Sequence, residues 1–253
     1  MLLCLDVGNS HIFGGIFIDT ALRFTFRYPS KQFTSDECGI FLRNVLRENQ
    51  FDPKDVTAVA ICSVVPQLDY SLRAACVKYF NQEPFFLEAG VKTGLNIKYR
   101  NPVEVGSDRI ANAIGAIHQF PQKDLIIIDF GTAITFCVVT AERDYRGGVI
   151  MPGLRVAMES LQANTAKLPV VEILKPDQVV GRSTVDSIQS GLYFGSLGAC
   201  REIINRLQKD LRDPIVIATG GFSGLFASEN IYSMQIPDLV LQGLRLAWMK
   251  AST

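Results

Sequence analysis

The sequence predicts an α/β protein made of two similar halves, and three observations carry that prediction. An apolar run ending in an acidic turn occurs twice. Leu2-Leu3-Cys4-Leu5-Asp6-Val7-Gly8-Asn9-Ser10 lines up with Leu125-Ile126-Ile127-Ile128-Asp129-Phe130-Gly131-Thr132-Ala133, and Phe13 then falls on Phe136. The offset is about half of the 253 residues, the spacing expected of a duplication. Strand-like and helix-like patterns then follow each copy in the same mixed order, so sheets covered by helices are expected. The halves are placed at residues 1–117 and 118–253. A buried strand has no use for an aspartate except at its tip, so Asp6 and Asp129 are expected to border one cleft between the halves. Gly8 and Gly131 would let the backbone turn and a ligand approach where a Cβ would stand in the way.

In the first half, the opening strand leads through Gly14-Gly15 into a second arm at Ile16–Ile18, and Phe24–Tyr28 completes a meander. Ser35-Asp36-Glu37 predicts a helix start with Ser35 as the cap, ahead of Cys38, Phe41, Leu42 and Val45. Val56–Val65 is apolar and β-branched and predicts a buried strand; Pro66 then suits the first position of a helix carrying Leu68, Leu72, Ala75 and Tyr79. A strand at Pro84–Leu87, a functional loop between Glu88 and Val105, and a helix from Ser107 to Phe120 close the half. In the second half a strand at Leu125–Asp129, a return strand at Ile134–Thr140 and a strand ending in Gly147-Gly148-Val149-Ile150 repeat the order. A helical stretch through Val156, Leu161 and Ala166, a long helix through Ile188 and Leu207, a strand at Ile215–Ala218 ending in Thr219-Gly220-Gly221, and a last helix begun by Pro237-Asp238 follow.

Bulk properties narrow the function. Lys plus Arg and Asp plus Glu stand at 25 each, so nothing in the charge suggests nucleic acid, and small molecules or a second copy are the expected partners. The apolar runs are far shorter than the roughly 20 residues that cross a bilayer, and the first residues enter a strand without a basic leader, so neither a membrane partner nor export is expected. Six cysteines, at 4, 38, 62, 76, 137 and 200, show no metal-ligand spacing and fit reduced thiols in a cytoplasmic protein.

Neither G-x-x-x-x-G-K-[ST] nor G-x-G-x-x-G occurs. Two acidic turns in register can nonetheless serve phosphoryl transfer, because that chemistry requires positioning and charge neutralisation above all. Backbone N–H groups and side-chain donors of the turns would face phosphate oxygens, with a carboxylate beside each to hold a cation. Arg109 adds an independent signal: Ile110, Ala113, Ile114 and Ile117 mark a helix whose first turn holds this cation, where the macrodipole disfavours it. An anion or amide to grip explains it better, while Asp108 beside it reads either as a helix-capping residue or as a base. His11 follows the first turn and either touches a phosphate or packs the loop, and His118, late in a helix, reads as structural.

With these turns in view, the chain resembles the acetate and sugar kinase, chaperone ATPase and actin superfamily, whose fold is a duplicated ribonuclease H-like domain. Within it, Gly106-Ser107-Asp108-Arg109, Gly147-Gly148-Val149-Ile150-Met151-Pro152-Gly153-Leu154, Thr165-Ala166-Lys167-Leu168-Pro169, Gly181-Arg182-Ser183-Thr184 and Thr219-Gly220-Gly221 resemble the type III pantothenate kinases. The resemblance implies ATP-dependent phosphorylation of pantothenate to 4'-phosphopantothenate, the first step of coenzyme A synthesis, by a homodimer. It implies that Asp6, Val7, Gly8, Asn9, Ser10, His11, Ile12 and Phe13 contribute to the ATP site, with Asp6 near Mg²⁺, and that Thr132, Gly220 and Gly221 also bind ATP. Asp129 would bind a monovalent cation, K⁺ or NH4⁺. Tyr99, Gly106, Ser107, Asp108, Arg109 and Thr184 would form the pantothenate pocket, Thr184 from a second subunit, with Asp108 as catalytic base. The alternatives are a kinase of another small hydroxyl compound, such as an amino sugar, and a nucleotide-binding regulatory protein without turnover.

Overall fold

Residues 1–88 and 90–252 are described by a computed structural model, so Ala89, inside the expected functional loop, lies outside the described residues. Two units result: Met1–Leu95 with Tyr99–Gln119 and Asp238–Thr253, and Asn96–Lys98 with Phe120–Pro237.

In the first unit β1 (Leu2–Val7), β2 (His11–Ile18) and β3 (Ala21–Pro29) form an antiparallel meander. Helix α1 (Ser35–Glu48) returns the chain to β4 (Ala58–Ser63), parallel to β1, and α2 (Pro66–Phe80) leads to β5 (Phe85–Phe86), giving the order β3-β2-β1-β4-β5. The cap of α1 is Thr34 rather than Ser35. Glu37 stands three residues after Thr34, so the Glu37 N–H donates to Thr34 Oγ1 at 3.2 Å while the Thr34 N–H donates to Glu37 Oε2 at 2.7 Å, a reciprocal pair that Ser35 could not make. Pro66 opens α2 as expected. Leu3 and Leu5 of β1, Ile61 of β4, Leu42 and Leu46 of α1 and Leu72 of α2 share one buried cluster on one face of the sheet. Each such aliphatic side chain stabilises the fold by about 1.5–3 kcal/mol.

The short β6 (Asn96–Ile97) joins the sheet of the second unit, and α3 (Ser107–Gln119) belongs to the first. In the second unit β7 (Leu125–Phe130), β8 (Ala133–Val139) and β9 (Asp144–Pro152) form another meander. Helices α4 (Leu154–Ala163) and α5 (Thr184–Leu207) precede β10 (Ile215–Thr219), parallel to β7, and β11 (Met234–Gln235) follows. The order β11-β10-β7-β8-β9-β6 repeats that of the first sheet, with β6 added at the far edge. Helix α4 stops short of Ala166, and the side chains of Asn164 and Thr165 turn back onto the Ser160 and Leu161 carbonyls, at 2.9 and 2.7 Å.

The duplication is present in structure, with one correction. Strands β1 and β7 share the same burial pattern, with Asp6 and Asp129 each the half-buried residue before the last. After the turn the register slips: Asp6 pairs with Phe13, whereas Asp129 pairs with Thr135, so Thr135 and not Phe136 takes the place of Phe13. The first turn is one residue longer. Its Gly8 N–H reaches the His11 carbonyl, while Gly131 N–H reaches that of Ala133. Past the turns, His11 pairs with Pro29 and Ala133 with Pro152. The Ser10 carbonyl accepts from Ser30 N–H at 3.0 Å, and the Thr132 carbonyl from Gly153 N–H at 3.1 Å. The structural counterpart of Thr132 is therefore Ser10, not the Asn9 of the ungapped alignment, and the two turns present a hydroxyl at the same place.

The last helix, α6 (Leu239–Ala251), was expected in the second half and belongs to the first unit instead. Its buried Leu241, Leu244 and Ala247 face needs a partner, and α3, β1 and β4 supply one. The helices meet at glycines: a Cβ on Gly243 would collide with the Ala111 carbonyl, and one on Gly115 would stand 2.7 Å from the Leu239 carbonyl. Gln119 Nε2 donates to Gln242 Oε1 at 2.6 Å.

Candidate active site

In the first unit the strand tips and the start of α3 gather the predicted residues. Asp6 is the register partner of Cys62 on β4, so the two side chains stand on the same face. The Cys62 thiol donates to Asp6 Oδ1 at 3.4 Å. Burial holds the Cys62 pKa well above its ordinary value, and the charges of Asp6 and Asp108 add to the effect, so it remains a thiol. Asn9, Ser10 and His11 are exposed in the turn.

Helix α3 is anchored by Ser107, whose Oγ donates to the Ser63 carbonyl at the tip of β4, 3.0 Å away. Asp108 is half-buried, and Oδ1 accepts from the Arg109 N–H at 2.8 Å. Burial raises the Asp108 pKa above 3.8, with the Arg109 N–H and guanidinium pulling the other way. A carboxyl so placed is better matched to proton abstraction near neutral pH than an exposed one. A Cβ on Gly106 would meet Asp108 Oδ1 and push that carboxylate from its place. Arg109 is buried despite its charge. Tyr99 is half-buried in the same unit.

In the second unit Asp129 lies against Thr219, its register partner on β10, and against the glycine turn beyond it. Gly220 has φ +86°, and a Cβ there would collide with Asp129 Oδ1 and stand 2.6 Å from the Phe130 nitrogen. Gly220 is thus glycine for two reasons, its left-handed backbone and the carboxylate it touches. Gly221 is exposed beside it. The turn is braced by the buried Ser223, whose Oγ donates to the Gly220 carbonyl at 2.7 Å and accepts from Gln235 Nε2 at 2.9 Å. Thr132 is exposed. The start of α4 adjoins this turn through the Gly153 N–H bond to Thr132, which sets a helix N-terminus beside a predicted phosphate turn. Linear spacing assigned Gly153 no role; a Cβ there would collide with the Thr132 carbonyl.

Thr184 opens α5 and is exposed, capped by Ser183, which accepts from the Asp186 N–H at 3.1 Å. It lines a groove of about 1080 Å³ between α4 and α5, together with Pro152, Val156, Leu161 and Ile188.

Among the described residues no three or more His, Cys, Asp or Glu side chains cluster as a metal cage. A Mg²⁺ bound with nucleotide needs only one or two carboxylates, completed by phosphates and water, and Asp6 at its strand tip fits that donor set. Asp129, against backbone that a Cβ would crowd, offers the hard oxygen suited to an alkali-type cation.

Residues 2–206 match the family model of type III pantothenate kinase. The chain is 60% identical to a type III pantothenate kinase of Legionella pneumophila (strain Corby) over 252 residues, 98% of each chain. It is 46% identical to type III pantothenate kinase 1 of Francisella tularensis subsp. holarctica (strain OSU18), again over 98% of each. In fold it is similar to the Acidaminococcus fermentans (R)-2-hydroxyglutaryl-CoA dehydratase component A, with a TM-score of 0.53 at 14% identity, covering 100% of this chain and 99% of that one. Mixed sheets flanked by helices in two copies, the matched acidic turns and relatives of this identity over nearly the whole length lead to one conclusion: the chain belongs to the type III pantothenate kinase family.

Proposed function

We propose that this protein transfers the γ-phosphoryl group of ATP to the primary hydroxyl of pantothenate, giving ADP and 4'-phosphopantothenate, the first step of coenzyme A synthesis. The observation that carries the reading is the tip of β4, where the Cys62 thiol holds Asp6 and the next residue, Ser63, anchors the helix that carries Asp108, in a chain of this family. Asp108 takes the proton of the attacking hydroxyl as the new O–P bond forms and the bond to the ADP oxygen breaks. Its raised pKa suits that task. Ser107, Arg109 and Tyr99 hold the pantothenate, with the backbone at Gly106 giving it room.

Asp6, Val7, Gly8, Asn9, Ser10, His11, Ile12 and Phe13, together with Thr132, Gly220 and Gly221, bind ATP. Mg²⁺ at Asp6 and K⁺ or NH4⁺ at Asp129, when bound, neutralise phosphate charge. Two homologous turns with a hydroxyl at the same place, Ser10 and Thr132, support a shared task at phosphate oxygens. A homodimer is the working state, with Thr184 reaching the partner's substrate. The exposed apolar Val156, Leu161 and Val185 around the α4–α5 groove support a second copy there. The cytoplasm is its place of work, supported by six free, buried thiols.

The deciding measurement is ADP release with ATP, Mg²⁺ and K⁺, with and without pantothenate, and mass detection of the phosphorylated product. Pantothenate-dependent release is expected. Release driven instead by an amino sugar, or ATP binding with no acceptor-dependent release, overturns the reading.

A further inference from the structure

Cys62 has no part in the chemistry above, yet its surroundings give it one. It is fully buried in β4, and the parallel register with β1 puts it directly beside Asp6. Its neighbours in the two strands on that face, Cys4 and Ala60, are also buried, so the position must be filled by something small that tolerates apolar contact. A thiol meets that demand and still carries a hydrogen-bond donor. The donor is used: Sγ–H points to Asp6 Oδ1 at 3.4 Å. The next residue, Ser63, holds the start of α3 through its carbonyl, so consecutive residues at the tip of β4 grip the carboxylate on one side and the helix carrying Asp108 on the other.

We propose that Cys62 is a positioning residue for Asp6, its thiol fixing the plane of the carboxylate that serves the magnesium and phosphate groups of ATP. The inference rests on the reading of Asp6 given above. A donor on one oxygen restricts rotation about the terminal bond, which is otherwise broad for an aspartate. The ordering cost is then met in the folded protein and not when nucleotide binds. An alanine here removes the restraint and leaves a sulfur-sized space, which a valine fills without restoring the donor.

The test is steady-state kinetics of the full-length protein with Mg²⁺ and ATP varied separately, alongside thermal midpoints. Cys62→Ala is expected to raise the KM for Mg·ATP and the half-saturating Mg²⁺ concentration about fivefold, with kcat changed by less than about twofold. Cys62→Val, which fills the volume without a donor, should match it, and Cys62→Ser should return both quantities to within about twofold of the parent. A purely packing role would move the thermal midpoint without this pattern, and would leave serine no better than alanine. Unchanged Mg²⁺ and ATP dependence in both the alanine and valine variants overturns the proposal, as does a serine variant as impaired as alanine. Asp6→Asn run in parallel separates the two levels. If it is impaired while Cys62→Ala is normal, only the positioning role falls; if it too is normal, the role of Asp6 falls and the positioning role with it.

Discussion

Replacing Asp108 with asparagine separates the proton-transfer role from every other property of the site. Asparagine keeps an oxygen where Oδ1 accepts the Arg109 N–H at 2.8 Å, so the first turn of α3 retains its hydrogen bond. What is lost is the ability to take a proton. General-base catalysis contributes about 10²–10⁴-fold, which at about 1.36 kcal/mol per decade is roughly 3–5 kcal/mol of transition-state stabilisation. Turnover should fall by that factor, with ATP affinity nearly unchanged. Stability should move the other way. Because burial raises the Asp108 pKa, the folded protein binds that proton more tightly than the unfolded chain does. Between 3.8 and the raised value, stability therefore falls as pH rises, and at neutral pH the ionised carboxylate opposes folding. The neutral asparagine removes that opposition, so the variant should melt no lower than the parent at pH 7, and the parent's advantage should return only in acid. Coupled ADP release, equilibrium ATP binding and calorimetry at two pH values measure all three. Turnover within about tenfold of the parent would refute the base assignment, and a variant destabilised at pH 7 would refute the account of the buried charge.

Three further outcomes follow from other parts of the structure. The pH dependence of kcat/KM should show an acid limb above 3.8, activity falling as Asp108 takes up its proton, and the limb should vanish in the residual activity of the asparagine variant. Exchanging K⁺ for Na⁺ should sharply lower the rate, and Asp129→Asn should abolish the difference; an enzyme indifferent to the cation contradicts that assignment. Gly243→Ala should cost about 1–3 kcal/mol in urea unfolding, because the new methyl meets the Ala111 carbonyl on α3.

The duplication, the longer strands and the acidic turns were legible because a buried strand must be apolar and its tip need not be, a contrast that linear sequence displays directly; the two-residue β6 and β11 carry too little pattern to show, and β6 falls inside the stretch expected as a loop. The slip that sets Thr135 opposite Asp129 was not legible, because two turns differing by one residue look alike until their hydrogen bonds close on His11 in one and Ala133 in the other. That same slip hid the match of Ser10 with Thr132. The cap of α1 was missed by one residue because Ser35 and Thr34 are both good caps, and only the reach of Glu37 chooses between them. Cys62 looked like any buried thiol, since its contact with Asp6 spans strands distant in sequence. Asp108 was named by resemblance; its half-buried position and raised pKa came from the fold.

The placement of α6 bears on how the protein comes off the ribosome. The first unit is interrupted by the stretch Phe120–Pro237 and is completed by the final residues of the chain. While the ribosome is still at work, the β1 and β4 surface that α6 covers, together with the Ala111 and Gly115 seam of α3, stays open to water and to other nascent chains. Most of the intervening unit leaves the exit tunnel before α6 does and can begin to fold earlier. A stop codon before residue 239 would therefore release a polypeptide whose acidic turn at Asp6 rests on an unroofed sheet, although every residue of that turn had been made from the start.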